Sequence, residues 1–274
     1  MKNIALGQYY PARSLIHRFD PRIKVILALL YIVCATFLCK NIFSFALLLF
    51  SALLVILLGR VPMRTVLRGL MPVLFLMAFA SVFQIFGNRG DMLLFEWKFI
   101  HIYAEGIYGA VFMIIRIFVL IVGTSMFLTY TTTPIELTDA IEDLLSPLKK
   151  LKVPVHDFAM MMTLALRFIP TLVEETDKIM TAQKARGADF SSGSLIQRAK
   201  ALIPVLIPLI VSAIRHAGEL AVAMECRCYH GDGVRTRMVV RKCRFSDFAA
   251  LFVMIAFGAA LIALNILGIG YTLG

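Results

Sequence analysis

The chain has 274 residues, 60% of them hydrophobic and only 16% charged. Soluble domains average about 45–50% apolar residues, so a soluble globular enzyme is excluded and a membrane protein is indicated. The net charge of +11 comes from Lys and Arg that flank apolar runs without forming a separate basic domain. That pattern speaks for membrane orientation, with the basic residues on the cytoplasmic side, and against nucleic-acid binding.

Residues 1–24 carry Lys2, Arg13, Arg18, Arg22 and Lys24 against one acid, Asp20. They are polar and basic, unlike a cleavable signal peptide, and they place the N-terminus in the cytoplasm. Val25 to Leu38 is the first predicted span, Lys40-Asn41 a minimal outer turn, and Ile42 to Leu58 the return span. Arg60, Arg64 and Arg68 mark the cytoplasmic side again, and Leu70 to Phe86 crosses outward. The outer loop from Asn88 to Glu105 partly alternates between Leu94 and Tyr103, which suits a small hairpin or an interfacial segment. Trp97 and Tyr103 fit the membrane–water boundary. Gly106 to Tyr130 is the fourth span and contains Arg116.

The composition then changes. Thr133-Pro134-Ile135-Glu136 is a helix start, with a threonine cap, proline at the first helical position and glutamate placed for a capping box. The helix is expected to run to about Lys150 as an amphipathic surface element. Two long helices follow, about 155–187 and 195–228, separated by Ser191-Ser192-Gly193-Ser194. The first would be some 48 Å long at 1.5 Å per residue. Each starts apolar and ends polar. Their apolar halves are short for a span, so both are expected along or beneath the inner leaflet; counting them as sixth and seventh spans is the rival topology. Pro170, Pro204 and Pro208 are expected to kink them. A basic block at 235–244 precedes the last span, Phe248 to Ile269.

The expected fold is an all-α membrane protein with about five transmembrane helices and three cytoplasmic or interfacial helices, the last two long and crossed. Residues 1–130 form a four-span membrane domain, 131–245 a cytoplasmic domain, and 246–274 the final span, leaving the C-terminus outside.

Chemical motifs are scarce. There is no phosphate loop, HExxH or GxSxG. The five cysteines (Cys34, Cys39, Cys226, Cys228 and Cys243) have no metal spacing, so neither metal nor cofactor is expected. Asp139 and Asp143 make a DxxxD of the kind that membrane prenyltransferases use for magnesium diphosphate. They lie near the start of a helix, where acids stabilise the dipole in any case. Arg116 and Arg167 stand in apolar surroundings and call for interhelical partners, since an intramembrane charge costs at least about 2.5–3.5 kcal/mol. Gln84 or the cytoplasmic helices are candidates for Arg116. Arg186 and Arg227 differ: each ends a polar half-helix between small residues, Ala185 and Gly187 in one case and Cys226 and Cys228 in the other. A lone helix-end arginine merely satisfies the dipole. Two on matched long helices suit docking, because the guanidinium fork fits a carboxylate or a row of carbonyls.

Several segments resemble one family over nearly the whole chain. They are Gly7-Gln8-Tyr9-Tyr10, Leu15 to Lys24 (LIHRFDPRIK), Thr132-Thr133-Pro134, Ala165 to Pro170 (ALRFIP), Ala182 to Gly187 (AQKARG) and Ala223 to Tyr229 (AMECRCY). The family is the transmembrane T component of energy-coupling factor (ECF) transporters. The resemblance implies a non-catalytic subunit of an ATP-driven importer in a bacterial or archaeal cell membrane. Its partners would be two ABC ATPases and a small membrane-embedded S component that binds a vitamin or similar micronutrient. In the family, two short arginine motifs insert into grooves on the ATPases, and they match here at Arg186 and Arg227. The second motif is often Ala-Arg-Gly, whereas this chain has Cys226 and Cys228. The opening resembles the shared vitamin-type T component more than its cobalt or nickel relatives. The methionines at 160, 161, 162 and 180 are adaptable surface, suited to interchangeable S components or to ordinary packing. The rival functions are an intramembrane prenyltransferase using Asp139 and Asp143, and a self-contained permease.

Overall fold

The computed structural model describes residues 9–12, 14–39, 41–87, 93–97, 100–190, 194–229 and 244–267. Its helices are α1 (Pro21–Phe37), α2 (Ile42–Gly59), α3 (Met63–Gly87), α4 (Ala104–Thr124), α5 (Pro134–Leu144), α6 (Val155–Ala185), α7 (Leu195–Cys226) and α8 (Phe245–Ile266). The strands β1 (Leu93–Trp97) and β2 (Ile100–Tyr103) form an antiparallel hairpin between α3 and α4. The protein is an all-α membrane protein apart from this hairpin. It divides into two compact units, Ala5–Ala140 with Arg241–Gly274 and Ile141–Val240 with Met1–Ile4.

The first unit is organised around α4, which packs on α1, α2 and α3. Its core includes Leu27, Tyr31, Leu48, Val119 and Leu261. Two glycines set the helix approaches. A Cβ at Gly123 would fall inside the Tyr31 ring, and one at Gly106 would lie 2.9 Å from the Ile85 carbonyl. Small residues at such positions let membrane helices touch backbone to side chain. After Thr124 the helix widens into a π turn, Ser125–Thr129, closed by the Tyr130 N–H donating to the Ser125 carbonyl at 2.9 Å.

Polar side chains fasten the ends of this unit. Asn41 Nδ2 donates to the Leu264 carbonyl at 3.2 Å, and Asn265 Nδ2 to the Leu38 carbonyl at 2.6 Å, so the α1–α2 turn and the end of α8 hold each other. At the other end Lys24 is buried, 1% exposed, and its ammonium donates to the carbonyls of Thr131 at 2.7 Å and His17 at 3.3 Å. Asp247, also 1% exposed, caps α8 through the Arg244 N–H and accepts from the Asp20 N–H at 3.3 Å. The helix start read from the sequence forms as a reciprocal box. Thr133 N–H donates to Glu136 Oε2 and Glu136 N–H to Thr133 Oγ1, at 3.2 and 3.3 Å.

One expectation needs correction. The helix expected to reach Lys150 ends at Leu144, and a 3-10 segment, Ser146–Leu151, follows. Pro147 lacks an N–H and disfavours α conformation in the residue before it. Among the described residues, five helices are long and apolar enough to cross a membrane by length and composition alone: Ile42–Gly59, Met63–Gly87, Ala104–Thr129, Ile196–Cys226 and Phe245–Ile266. The first predicted span folds as α1, 17 residues long, at the lower end of the range of about 17–25 residues that cross a bilayer. The second long helix qualifies because it stays continuous across Pro204 and Pro208.

Replacing Gly123 with Ala should lower the unfolding temperature in detergent, because the added methyl overpacks the α1–α4 contact at a cost of about 1–3 kcal/mol. Gly218→Ala, in α7 with nothing within 4 Å, should be neutral or slightly stabilising. Fluorescence-detected size exclusion after a heating series distinguishes the two.

Candidate functional site

The second unit contains α6 and α7, 31 and 32 residues long. Gln183 Nε2 donates to the Pro204 carbonyl at 3.4 Å, and Ser212 Oγ to Glu175 Oε1 at 3.5 Å. Moving eight residues up α6 thus moves eight residues down α7, so the helices run antiparallel. The first of these bonds has a local cause. Pro208 has no N–H to give to the carbonyl four residues earlier, and Gln183 supplies the missing donor. Both helices continue through their prolines, Pro170 in α6 and Pro204 and Pro208 in α7. His156 Nδ1 lies 3.1 Å from Glu142 Oε1, which joins the start of α6 to the residues preceding it.

The last turns of the two helices are the same structure built twice. In α6 the Gly187 N–H donates to the Lys184 carbonyl at 3.0 Å, and the Ala188 N–H to the Gln183 carbonyl at 3.0 Å. In α7 the Cys228 N–H donates to the Glu225 carbonyl at 2.8 Å, and the Tyr229 N–H to the Met224 carbonyl at 3.0 Å. This pair of bonds is the Schellman motif, which satisfies carbonyls that a helix end would otherwise strand. Arg186 and Arg227 are the C-caps, with nearly equal φ/ψ of −86°/7° and −93°/15°. Gly187 and Cys228 follow in the left-handed region, at φ 88° and 56°. Ala185, Arg186, Gly187, Cys226, Arg227 and Cys228 are all exposed. Because α6 and α7 are antiparallel, the two arginines lie toward opposite ends of the pair, separated by about 26 residues of α7, or some 39 Å of helix rise.

The other singled-out residues do not join these tips. Arg116 bonds a main-chain carbonyl and not Gln84. Its Nη2 donates to the Cys39 carbonyl at 2.9 Å, and its guanidinium lies 5.2 Å from the Phe45 ring centroid. A carbonyl left over at the end of α1 and an aromatic face take the place of the expected side-chain partner. Arg167 is exposed on α6, and no ion pair holds it among the described residues. Asp139 and Asp143 are half-buried on α5. Among the described residues no group of three or more His, Cys, Asp and Glu could hold a metal. Sequence reasoning missed the buried Lys24, the Asn41–Asn265 pair and Gln183. Lys24 had one available signal: it stands on the same α1 face as Leu27, Ala28 and Tyr31, where a solvated lysine would not belong.

Much of the apolar surface of α6 and α7 is uncovered. Phe158, Met161 and Met162 are exposed on α6, and Leu202, Leu206, Ile210 and Ile214 form an exposed stripe on α7. Such a surface requires lipid or another protein.

These features define a helical multi-pass membrane protein with a pair of long arginine-ended helices. A profile of the family described as cobalt transport protein, CbiQ, matches residues 12–238. A protein of Ruminiclostridium cellulolyticum is 51% identical over 251 residues, covering 92% of each chain. One of Clostridium kluyveri is 50% identical over 251 residues, covering 91% of this chain and 92% of the relative. One of Bacillus subtilis is 47% identical over 237 residues, covering 86% and 89%. All three are named energy-coupling factor transporter transmembrane protein EcfT. The chain belongs to this EcfT family of transporter transmembrane components.

Gly187→Val should unlock the α6 tip, since a β-branched side chain in the left-handed region costs about 1–2 kcal/mol. Faster hydrogen exchange at the amides of residues 187 and 188, with the middle of α6 unchanged, is the expected readout.

Proposed function

We propose that this chain is the coupling subunit of an ECF-type importer, with Arg186 and Arg227 docking into grooves of two ABC ATPase subunits. The observation that carries the reading is the duplicated tip: two exposed arginines in the same Schellman geometry, set far apart on one antiparallel helix pair. A helix-end arginine that served only its own helix would have no reason to recur with the same backbone, small or thiol neighbours and full exposure. The two tips offer the same guanidinium fork to two related partners.

In this reading residues 131–245 form the cytoplasmic coupling part and the remainder the membrane part. The N-terminus lies in the cytoplasm and the C-terminus outside, in a bacterial cell membrane. Closure of the ATPases on ATP moves the two arginine tips relative to each other. Helices α6 and α7 cross and bend near Pro170, Pro204 and Pro208, and they carry that motion to a small S component resting on their uncovered apolar stripes. The exposed Met161 and Met162 suit a surface that repacks against interchangeable S components. The chain performs no catalysis and holds no cofactor; the ATPases hydrolyse ATP and the S component binds the vitamin or other micronutrient. Lipid covers the rest of the apolar surface. Asp139 lies in the middle of α5 and Asp143 in its last turn, so only Glu136 stands in the first turn as a dipole-stabilising acid.

Replacing Arg186 or Arg227 with alanine should weaken ATPase association by about 2–5 kcal/mol, the usual cost of truncating one side of a buried charged contact. Co-purification of the ATPases from mild detergent should fall for each single variant and vanish for the double variant. Normal co-purification and normal uptake by the double variant would overturn the reading.

A further inference from the structure

Between α5 and α6 the chain forms the 3-10 turn Ser146–Leu151, closed by the Lys152 N–H donating to the Lys149 carbonyl at 3.0 Å. Residues three apart in such a turn lie one above the other, so Leu148 stands over Leu145 and Leu151 over Leu148. A continued α-helix would spread these three leucines across its surface. The leucine row is uncovered: Leu145 and Leu148 are each 37% exposed and Leu151 76%. Ile141 and Val153, at its two ends, are exposed as well. Lys149, Lys150 and Lys152 are exposed beside the row, and none of them takes part in an ion pair among the described residues. No acid occurs in the sequence between Asp143 and Asp157. An uncovered apolar ridge is thus edged by cations alone.

We propose that residues 145–153 are a membrane-surface anchor that binds anionic phospholipid. The leucine row enters the acyl boundary, and Lys149, Lys150 and Lys152 pair with headgroup phosphates. The combination of the two features selects the occupant. An apolar row alone would suit a protein groove or any lipid. Lysine, however, is depleted at protein–protein interfaces. Beside a half-immersed apolar element its long stem lies along the apolar surface while its ammonium reaches the headgroups, and an anionic leaflet favours each such cation. The inference goes beyond the docking of Arg186 and Arg227 and does not depend on it. Its consequence falls on α6. That helix begins at Val155, and His156 Nδ1 lies 3.1 Å from Glu142 Oε1, on the other side of the leucine row in sequence. A segment held at the bilayer surface therefore holds the starting end of α6 too, and the arginine end moves about that fixed start.

The test uses the full-length chain in lipid nanodiscs. Trp97 is the only tryptophan in the sequence, so Trp97→Phe with Leu151→Trp carries one fluorescent reporter in the leucine row. The discs hold phosphatidylcholine and phosphatidylglycerol in equal amounts, and bromine, which quenches tryptophan, is placed on the acyl chains of one lipid at a time. The reporter should be quenched by both, and more strongly by brominated phosphatidylglycerol. Each of Lys149→Gln, Lys150→Gln and Lys152→Gln should reduce that preference by about fivefold, the factor expected for one lysine at an anionic surface, and the triple variant should show none. Trp97→Phe with Phe252→Trp, at an exposed position of α8, is the reference and should not respond to the lysine substitutions. The wild-type chain reads the same contact without a new tryptophan. Its amide hydrogen exchange at residues 148–153 should be slower in the mixed discs than in phosphatidylcholine alone, and the triple variant should lose that difference. The proposal is overturned if bromine on neither lipid quenches the residue-151 reporter, which would leave the face to a protein partner. It is equally overturned if the two lipids quench alike with all three lysines present, or if wild-type exchange is the same in both discs.

Discussion

A helix must dispose of the carbonyls in its last turn, and in this protein that requirement is met twice in the same way. The Schellman pairs at 183–188 and 224–229 close the two helix ends, and the C-cap residue at each is exposed. Placing arginine at that cap converts a structural obligation into a presented cation. The antiparallel contact of α6 and α7 then decides where the cations go. Because Gln183 meets Pro204 and Ser212 meets Glu175, the helices run antiparallel and the two arginines lie toward opposite ends of the pair.

The membrane part answers a different constraint. Lipid offers no hydrogen bonds, so every irregular junction must be satisfied internally. Asn41 and Asn265 each donate to a carbonyl at the α1–α2 turn or the end of α8, Arg116 takes the Cys39 carbonyl, and the buried Lys24 takes the Thr131 carbonyl where the π turn ends, while Oδ1 of both asparagines and Nε of Arg116 stay buried without a partner among the described residues. Close packing of α1 on α4 at Gly123 and Tyr31 sets the spacing within which these bonds form. The π turn itself lies directly before α5, at a junction where inserted residues often accompany function.

Much of this was legible before any coordinates, and the legible parts share a cause: they are local. The capping box at Thr133–Glu136 follows from four consecutive residues. The two long helices and their arginine ends follow from composition along single segments. The parts that could not be read depend on neighbours distant in sequence. Lys24 looked like one of many basic residues marking the cytoplasmic side, and only its place against Thr131, 107 residues later, makes it a buried fastener. The partner of Arg116 is a backbone carbonyl, which every residue possesses and no residue advertises. The bond from Gln183 depends on Pro208 having freed a carbonyl on another helix. Nor do residues 204 and 208 announce that α7 runs unbroken through two prolines that sequence rules treat as breaks.

The most direct measurement places a photoreactive residue beside each cap, at Lys184 and at Glu225, in the transporter as it exists in membranes, leaving both arginines intact. Irradiation should join each position to an ABC ATPase subunit, and the nucleotide state should change the yield. Crosslinks confined to this chain itself or to lipid, at both positions, would contradict the account.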